Sequence, residues 1–283
     1  MAIVGIGKKE IWRFDMVRES LARKFHSAGF EQPEGSRKNY VRPRRELQEA
    51  FYQWMGDLPY GIYSDLSFTE LHYERAKRLL EENKITCLTS LEANSLLLGL
   101  KIKTKRGSDI GLFLSACYNL SDEDVIIFDE DAEDVNLIGY NCSKPLINNG
   151  RVRNDFGYRS SNFIINNCMA RRRFAGSSSG PAINNGDLGG RFGMFSLGLL
   201  INNGTSEKGP CIKRIGFGNL RMNPDDCDKI PGLKDYLERL RAESEKIKDV
   251  KSARTFIEKH GPEPKVKIEN DIKEMLKKGG YKV

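Results

Sequence analysis

The amino-acid sequence predicts a mixed α and β protein built on a parallel β-solenoid (β-helix) of 18-residue rungs, with an α/β N-terminal cap and a helical C-terminal segment. Three columns of residues carry this prediction, because each recurs every 18 positions. The first is an Ile-Asn-Asn sequence that starts at Ile147, Ile165, Ile183 and Ile201. The second is Phe156, Phe174 and Phe192, each followed by Gly or Ala. The third, directly before each Ile-Asn-Asn, is Leu146, Ile164, Ala182 and Leu200.

The length of this repeat selects the class of fold. Such a repeat is too short for a helical hairpin, and its richness in Gly, Asn and Ser is typical of a solenoid in which each repeat forms one rung. Rungs stack about 4.8 Å apart, so equal positions of successive repeats lie above one another. We therefore expect the isoleucines and phenylalanines to point inward as an apolar core. The Asn pairs should form amide ladders at a turn, and the glycines should permit sharp corners.

Irregular rungs are expected at both ends of the array, because terminal repeats must hide an exposed sheet edge. Upstream, residues Val125–Asp129 align with Lys144–Asn148 if one residue is inserted. Downstream, Lys213–Leu220 keeps the Gly and Phe character of the repeat but loses its register. The array thus extends beyond its four regular repeats.

The chain divides into an α/β capping domain (1–120), a β-helix repeat domain (121–223) and a helical C-terminal segment (224–283). We expect the capping domain to dock onto the open first rung. Apolar periodicity predicts its helices at Asp15–Phe25, from an N-cap at Ser67 to Leu80, and at Ser90–Leu100. Strands are predicted at Ile85–Leu88 and Ile110–Cys117, and C-terminal helices at Leu233–Ile247, Lys251–His260 and Ile268–Lys278.

Composition excludes several classes of protein. The 283 residues are 30% charged with a mean hydropathy of −0.52, and no apolar run approaches the roughly 18 residues of a membrane-spanning helix. Lys8, Lys9 and Glu10 follow the start too closely for a secretory signal, so we expect a cytoplasmic protein. The six cysteines form no C-x-x-C pair, the three histidines are far apart, and no nucleotide-binding fingerprint is present. We expect no metal and no cofactor.

Two kinds of solenoid compete for this repeat. In left-handed β-helix acyltransferases, three hexapeptides make one rung of the same length. Here apolar or aromatic residues recur every six positions from Leu146 to Ala170. However, the aliphatic-Gly pair typical of those enzymes is absent at Ile147, Arg153 and Arg159.

The stretches Ile183–Gly193 and Leu197–Gly204 instead resemble the right-handed β-helix of the GXGXG type. That domain closes the large subunit of glutamate synthase and makes up much of one subunit of formylmethanofuran dehydrogenase. The resemblance covers roughly residues 140 to 220. It implies a structural and docking module without catalytic residues.

Positive charge is concentrated on the repeat. Residues 141–222 contain twelve basic and three acidic residues, a net charge of +9, whereas the whole protein carries +7. The repeat places Arg153 beside Arg171 and Arg173 beside Arg191, and like charges about 5 Å apart repel unless an anion neutralises them. The candidate polyanion-binding residues on the rungs are Arg153, Arg171, Arg172, Arg173 and Arg191.

A second basic stretch, Ser36–Arg45, lies in a loop bounded by Gly and Pro and contains one tyrosine, like an arm that contacts phosphates. Its candidate residues are Arg37, Lys38, Arg42, Arg44 and Arg45. For both basic features the alternative is a solvated surface, or pairing with the acidic segment 121–134 of the same or another copy.

Two hypotheses for function follow. The first is a non-catalytic scaffold or binding protein whose basic face docks a polyanion, RNA before DNA, or a protein partner, with no membrane partner. The second is an enzyme with a site between the N-terminal domain and the first rungs, using Cys117 or the acidic cluster 122–134. A nucleophilic Cys needs a basic neighbour, and nearby carboxylates would instead raise its pKa. We therefore expect a binding protein rather than an enzyme.

Overall fold

The computed structural model describes residues 41, 43–57, 66–98, 107–132, 134–206, 215–217, 220–222, 224–260 and 264–282. N-terminal helices pack on a parallel β-solenoid with 18-residue rungs, and C-terminal helices follow it. The predicted fold class is therefore confirmed. The predicted helix at Asp15–Phe25 lies outside the described residues. In the described part of the chain, no helix combines the length and the apolar character needed to cross a membrane.

The helices before the solenoid are α1 (Arg45–Asp57), α2 (Leu66–Glu82), α3 (Ser90–Leu98) and α4 (Gly107–Leu120). Helices α2 and α3 were predicted, although α2 begins one residue before the expected cap. Buried side chains of all four helices share one apolar cluster with the interior of the solenoid, including Trp54, Leu80 and Phe113. The N-terminal helices thus close the end of the solenoid at its first rung, as expected.

The predicted strand at Ile110–Cys117 is wrong, because these residues lie in the middle of helix α4. Every residue from Ile110 to Tyr118 is buried, so the helix lacks the polar face that would reveal a helical period. The predicted strand at Ile85–Leu88 is also wrong: this segment is an irregular connection between α2 and α3. A buried helix and a buried strand have the same apolar composition, which explains the error at α4.

The solenoid has three sheets. The first contains the parallel strands β1 (Ile126–Phe128), β3 (Leu146–Asn148), β5 (Ile164–Asn166), β8 (Ala182–Asn184) and β11 (Leu200–Asn202). The second contains β2 (Asp131–Ala132), β4 (Arg151–Val152), β6 (Met169–Ala170), β9 (Asp187–Leu188) and β12 (Thr205–Ser206). The third pairs β7 (Arg173–Phe174) with β10 (Arg191–Phe192). From β3 to β12, paired residues are 18 positions apart, as predicted.

The first rung is present, but its predicted alignment is wrong. Ile126 pairs with Leu146 and Ala132 with Val152, which is an offset of 20 positions, whereas Ile138 pairs with Phe156 at the regular offset of 18. The two additional residues therefore lie between Ala132 and Ile138, whereas the predicted alignment had a single inserted residue. At this corner the backbone N–H of Asn136 donates to the carbonyl of Gly107, at the start of α4. The insertion thus forms part of the contact with the N-terminal helices.

The last rung ends in a different way. Strand β13 (Ile215–Phe217) is antiparallel to β11 and pairs in turn with β14 (Leu220–Met222). This antiparallel hairpin covers the edge of the first sheet, which agrees with the expected loss of register downstream.

The inward direction predicted for the isoleucines is wrong. Leu146 and Ile164 belong to the cluster inside the solenoid, with Phe156 and Phe174, whereas Ile165 belongs to a second cluster outside the first sheet. The physical reason is that neighbouring residues of a strand point to opposite faces. Because the column before the isoleucines fills the interior, the isoleucines must point outward.

The C-terminal helices bury this outer column. They are α5 (Pro224–Cys227), α6 (Leu233–Ser244), α7 (Val250–His260) and α8 (Pro264–Lys278), and the last three were predicted. Leu237, Phe256 and Ile272 share the outer cluster with the four isoleucines. The C-terminal helices therefore cover the first sheet, and the first sheet is apolar on both faces.

The expected amide ladders are confirmed. In the buried inner ladder, each Asn donates to the next rung: Asn148 to Asn166 at 2.6 Å, Asn166 to Asn184 at 2.6 Å and Asn184 to Asn202 at 2.8 Å. In the outer ladder, Asn167 donates back to Asn149, Asn185 to Asn167 and Asn203 to Asn185. Asn185 also donates to the Ser244 hydroxyl at the end of α6, so this ladder anchors the C-terminal helices.

One corner of the rungs shows why the repeat carries Gly in a fixed column. Gly139, Gly157, Ala175 and Gly193 all have a left-handed backbone, with φ of 73°, 68°, 53° and 57°. A Cβ at Gly157 would lie 2.8 Å from Ile164, and one at Gly193 would lie 2.2 Å from Leu200. One such pair differs at both positions, because Ala175 stands where the other pairs have Gly and Ala182 where they have Leu or Ile. The smaller residue at 182 leaves room for the methyl group at 175.

We therefore expect Ala182→Leu alone to cost about 1–3 kcal/mol of unfolding free energy, since the larger side chain would collide with the methyl group of Ala175. Adding Ala175→Gly should recover most of this loss, because it restores the pair found in the neighbouring rungs. Urea denaturation of the two single variants and the double variant measures the coupling. Additive effects would contradict this complementarity.

Candidate polyanion-binding surface

The second and third sheets carry the solenoid surface that the C-terminal helices leave exposed. Among the outward residues of the second sheet, Asp131, Arg151, Asp187 and Thr205 are exposed, while the outer face of the first sheet is buried. Inward residues such as Val152 and Leu188 fill the interior. A ligand that reaches the rungs can therefore contact them on this exposed surface.

Five of the predicted arginines meet where the second sheet turns into the third, and we name this group the arginine corner. It consists of Arg153, Arg171, Arg172, Arg173 and Arg191. Val152 pairs with Ala170, which places Arg153 next to Arg171, and Arg173 pairs directly with Arg191. All but Arg173 are exposed. The predicted stacking of like charges on neighbouring rungs is thus present.

Arg173 is held by an acid of the same chain. Its Nε and Nη2 donate to the two carboxylate oxygens of Asp155, both at 2.6 Å, in a bidentate ion pair. Burial raises the pKa of Asp155, and the charge of Arg173 opposes this shift. Asp155 occupies the position of Arg173 one rung earlier, so it partly neutralises the pair Arg173 and Arg191. Arg173 therefore has a structural role in the corner.

The other arginines of the corner have no acidic side chain within salt-bridge distance in the described part of the chain. Arg171 Nε lies 3.1 Å from the sulfur of Met169, and Arg191 Nη1 lies 3.1 Å from that of Met194. A thioether is a weak acceptor, and a guanidinium carries five N–H donors. Most of the donors on these side chains therefore remain available to an anion.

Glycines keep the corner open. The residues below Arg171 and Arg172 in the next rung are Gly189 and Gly190. A Cβ at Gly189 would lie 2.6 Å from the carbonyl oxygen of Arg171, and one at Gly190 would lie 2.0 Å from that of Arg172. No side chain can be added at these positions without moving the backbone. The columns of Arg171 and Arg172 therefore carry no side chain in the next rung.

The described part of the second basic stretch is engaged by the protein itself. Arg44 donates to both carboxylate oxygens of Glu92 at 2.8 Å and to the carbonyls of Thr86 and Cys87. The hydrogen bonds to Glu92 raise the pKa of Arg44. Arg45 pairs with Glu49 at 2.7 Å on the surface of α1. Arg44 thus links the start of α1 to α3 through its ion pair with Glu92. The remaining candidates Arg37, Lys38 and Arg42 lie outside the described residues.

The geometry around Cys117 does not favour a nucleophile. Cys117 lies on helix α4 rather than at a strand end, and its side chain is fully buried. Burial raises the pKa of the thiol, and the charge of Glu92 adds to the shift. The thiol therefore stays protonated at neutral pH, whereas catalysis requires a thiolate.

The acidic segment 122–134 is dispersed among separate structural contacts. Glu123 accepts a hydrogen bond from the backbone N–H of Ser90 at 2.6 Å, at the start of α3. Asp124 pairs with Arg254 of α7. Asp131 lies beside Arg151 in the second sheet. Within the described ranges, no three His, Cys, Asp or Glu residues come together in a way that could hold a metal ion.

Sequence reasoning missed a group of side chains beside the arginine corner. Tyr158 and Met194 occupy one column of the rungs, and Phe195 follows Met194. Phe195 is 78% exposed with a left-handed backbone at φ 61°. The signal was present in the repeat: residue 195 belongs to the same column as Asn141, and Asn is suited to that backbone. An aromatic residue at such a position is unusual.

Comparisons with known proteins found no relative of this chain. No protein-family model, no curated protein and no solved structure matches the chain.

Proposed function

We propose that this protein is a non-catalytic binding scaffold whose arginine corner docks a polyanion, with RNA as the preferred ligand. The observation that supports this proposal is the set of exposed arginines Arg153, Arg171, Arg172 and Arg191, which have no acidic partner in the described residues. Repulsion between such neighbours is relieved when phosphates bind between them.

The solenoid suits this role because it fixes the backbone of the arginines before the ligand arrives. Their backbone lies on rungs joined by hydrogen bonds, for example from the N–H of Arg171 to the carbonyl of Val152 and from that of Arg191 to the carbonyl of Arg172. Arginine binds phosphate with two parallel N–H donors, so a fixed row of arginines favours a chain of phosphates over a single small anion.

The resemblance to the GXGXG domain is part of the same proposal. In glutamate synthase and formylmethanofuran dehydrogenase that domain is a structural and docking element, which agrees with a scaffold. An acidic protein surface is the other ligand that the charge of the corner would fit. The experiment below distinguishes the two ligands, because it measures the binding of a nucleic acid alone.

We expect Arg171→Glu combined with Arg172→Glu to weaken the binding of an RNA oligonucleotide at least about tenfold at low salt, since two phosphate contacts become repulsive. The slope of log affinity against log salt should fall by about 1.4 for a single strand. The loss should be similar for different sequences, because phosphate contacts carry little base information. Fluorescence anisotropy over a salt series measures both quantities.

The matched control is Lys246→Glu combined with Lys248→Glu, which changes the net charge equally at exposed positions after α6. This control should retain nearly all of the affinity. Equal losses in the two double variants would mean that net charge alone attracts RNA. The absence of any binding at low salt would exclude the nucleic-acid ligand and favour an acidic protein.

A further inference from the structure

We infer that the polyanion is a single-stranded nucleic acid with an unpaired base that stacks on the exposed ring of Phe195. Phe195 belongs to a group with Tyr158 and Met194, which we name the aromatic edge. This inference rests on the proposed function and specifies its ligand. The arginine corner contributes the contacts to phosphates, and the aromatic edge contributes those to bases.

Phe195 is the first part of the argument. Its left-handed backbone costs free energy for any residue with a Cβ, and Gly or Asn tolerate it best. The same column is left-handed in the preceding rungs too, with Asn141 at φ 54°, Arg159 at φ 60° and Ser177 at φ 53°. Phe195 adds a large apolar ring that is 78% exposed, so packing within the chain does not compensate the strain. The left-handed backbone thus belongs to the rung, and the exposed ring is what distinguishes Phe195 from the other residues of its column.

Tyr158 is the second part. Its ring lies over Gly176 of the next rung, where a Cβ would approach ring carbon Cδ2 to 2.9 Å. On its other side the ring stacks on Tyr140, with centroids 6.2 Å apart and an angle of 12° between the planes. Arg173 Cζ lies 5.9 Å from the centroid of Tyr158. Both faces of the ring are therefore covered. Tyr158 supports the aromatic edge beside the arginine corner and leaves stacking on a base to Phe195.

Continuity between the two groups is the third part. Arg191, Met194 and Phe195 follow one another on a single rung, and Arg191 Nη1 contacts the sulfur of Met194 at 3.1 Å. Phosphates bound at the corner would thus place the attached bases over the aromatic edge. A duplex keeps its bases stacked inside the helix, whereas a single strand can present them to protein rings. The exposed ring of Phe195 next to Arg191 therefore favours a single strand.

The test is Phe195→Asn, which removes the ring and suits the left-handed backbone. The probes are a labelled 12-nucleotide RNA, the blunt duplex of the same sequence, and a 12-unit abasic strand that has the phosphates but no bases. We expect single-strand affinity to fall about 5- to 50-fold with an unchanged salt slope, because no phosphate contact is lost. The melting temperature should stay equal or rise. Duplex and abasic affinities should not change.

The matched control is Ser177→Asn, which places Asn at the same left-handed position one rung earlier without removing a ring. It should not alter the affinity for any of the three probes. Wild-type affinity of Phe195→Asn for the single strand would overturn the inference, as would an equal loss on the abasic strand. If Arg171→Glu with Arg172→Glu weakens RNA binding while Phe195→Asn does not, the proposed function stands and the aromatic edge has no part in it.

Discussion

Phe174→Ala is expected to lower the free energy of unfolding by about 3–5 kcal/mol. Phe174 is fully buried and lies between two other rings of the interior column. Its centroid is 6.3 Å from that of Phe156 and 5.4 Å from that of Phe192, with nearly parallel planes in both pairs. Alanine would remove both ring contacts and leave a cavity that the flanking rungs cannot fill, because their hydrogen bonds fix them.

Thermal and urea denaturation measure this effect, and Phe192→Ala is the matched control. Phe192 is half-buried and contacts one phenylalanine of the column rather than two, so its replacement should cost clearly less. A loss at Phe174 no greater than that at Phe192 would mean that the interior tolerates a cavity in the middle of the solenoid.

Asn166→Leu is expected to cost about 2–5 kcal/mol, although leucine is apolar and the site is fully buried. Asn166 accepts a hydrogen bond from Asn148 and donates one to Asn184. Leucine can do neither, so a buried amide on each neighbouring rung would lose a partner. Asn148 keeps a second acceptor in the carbonyl of Met169 at 3.2 Å, which limits the loss on that side.

The comparison for this variant is Asn202→Leu on the last regular rung. Asn202 accepts from Asn184 in the same ladder, but its side chain is half-buried. Water can partly replace the lost bond there, so the cost should be smaller. Equal stabilities of wild type and Asn166→Leu in urea denaturation would show that the ladder specifies the register without adding stability.

The register of the rungs could be predicted from the sequence because stacking forces equal positions of successive repeats into contact. The pairing of Ile147 with Ile165, and of Arg173 with Arg191, needed only the constant interval of the repeat. The same interval places Asp155 beside Arg173, so their ion pair was predictable in principle. Asp155 occupies in its rung the position that Arg173 and Arg191 occupy in the next two rungs, so a search for like charges overlooks it.

The direction of the isoleucine column was not predictable from the repeat alone. Both Leu146 and Ile147 are apolar, since one faces the interior and the other faces the C-terminal helices. A strand that is buried on both faces shows no alternation of apolar and polar residues. The same ambiguity hid helix α4, whose residues are buried on all sides. Both errors arise where two layers of protein cover one element.

The exposed ring of Phe195 illustrates a third limit. The left-handed backbone of Phe195 cannot be read from the residue type, because Phe is rarely left-handed. Only the column shared with Asn141 hinted at it. Features that contradict local preference are the hardest to predict from sequence.

The cover formed by the C-terminal helices changes how the solenoid can melt. In a bare solenoid each rung contacts only its neighbours, so the end rungs can fray one at a time. Here Ser244 of α6 accepts hydrogen bonds from Asn167 and Asn185 on two rungs, and the outer cluster joins the helices to the isoleucines of all four regular rungs. Opening one rung therefore also disturbs the cover over the others. The rungs and the C-terminal helices should exchange their amide protons as one cooperative unit.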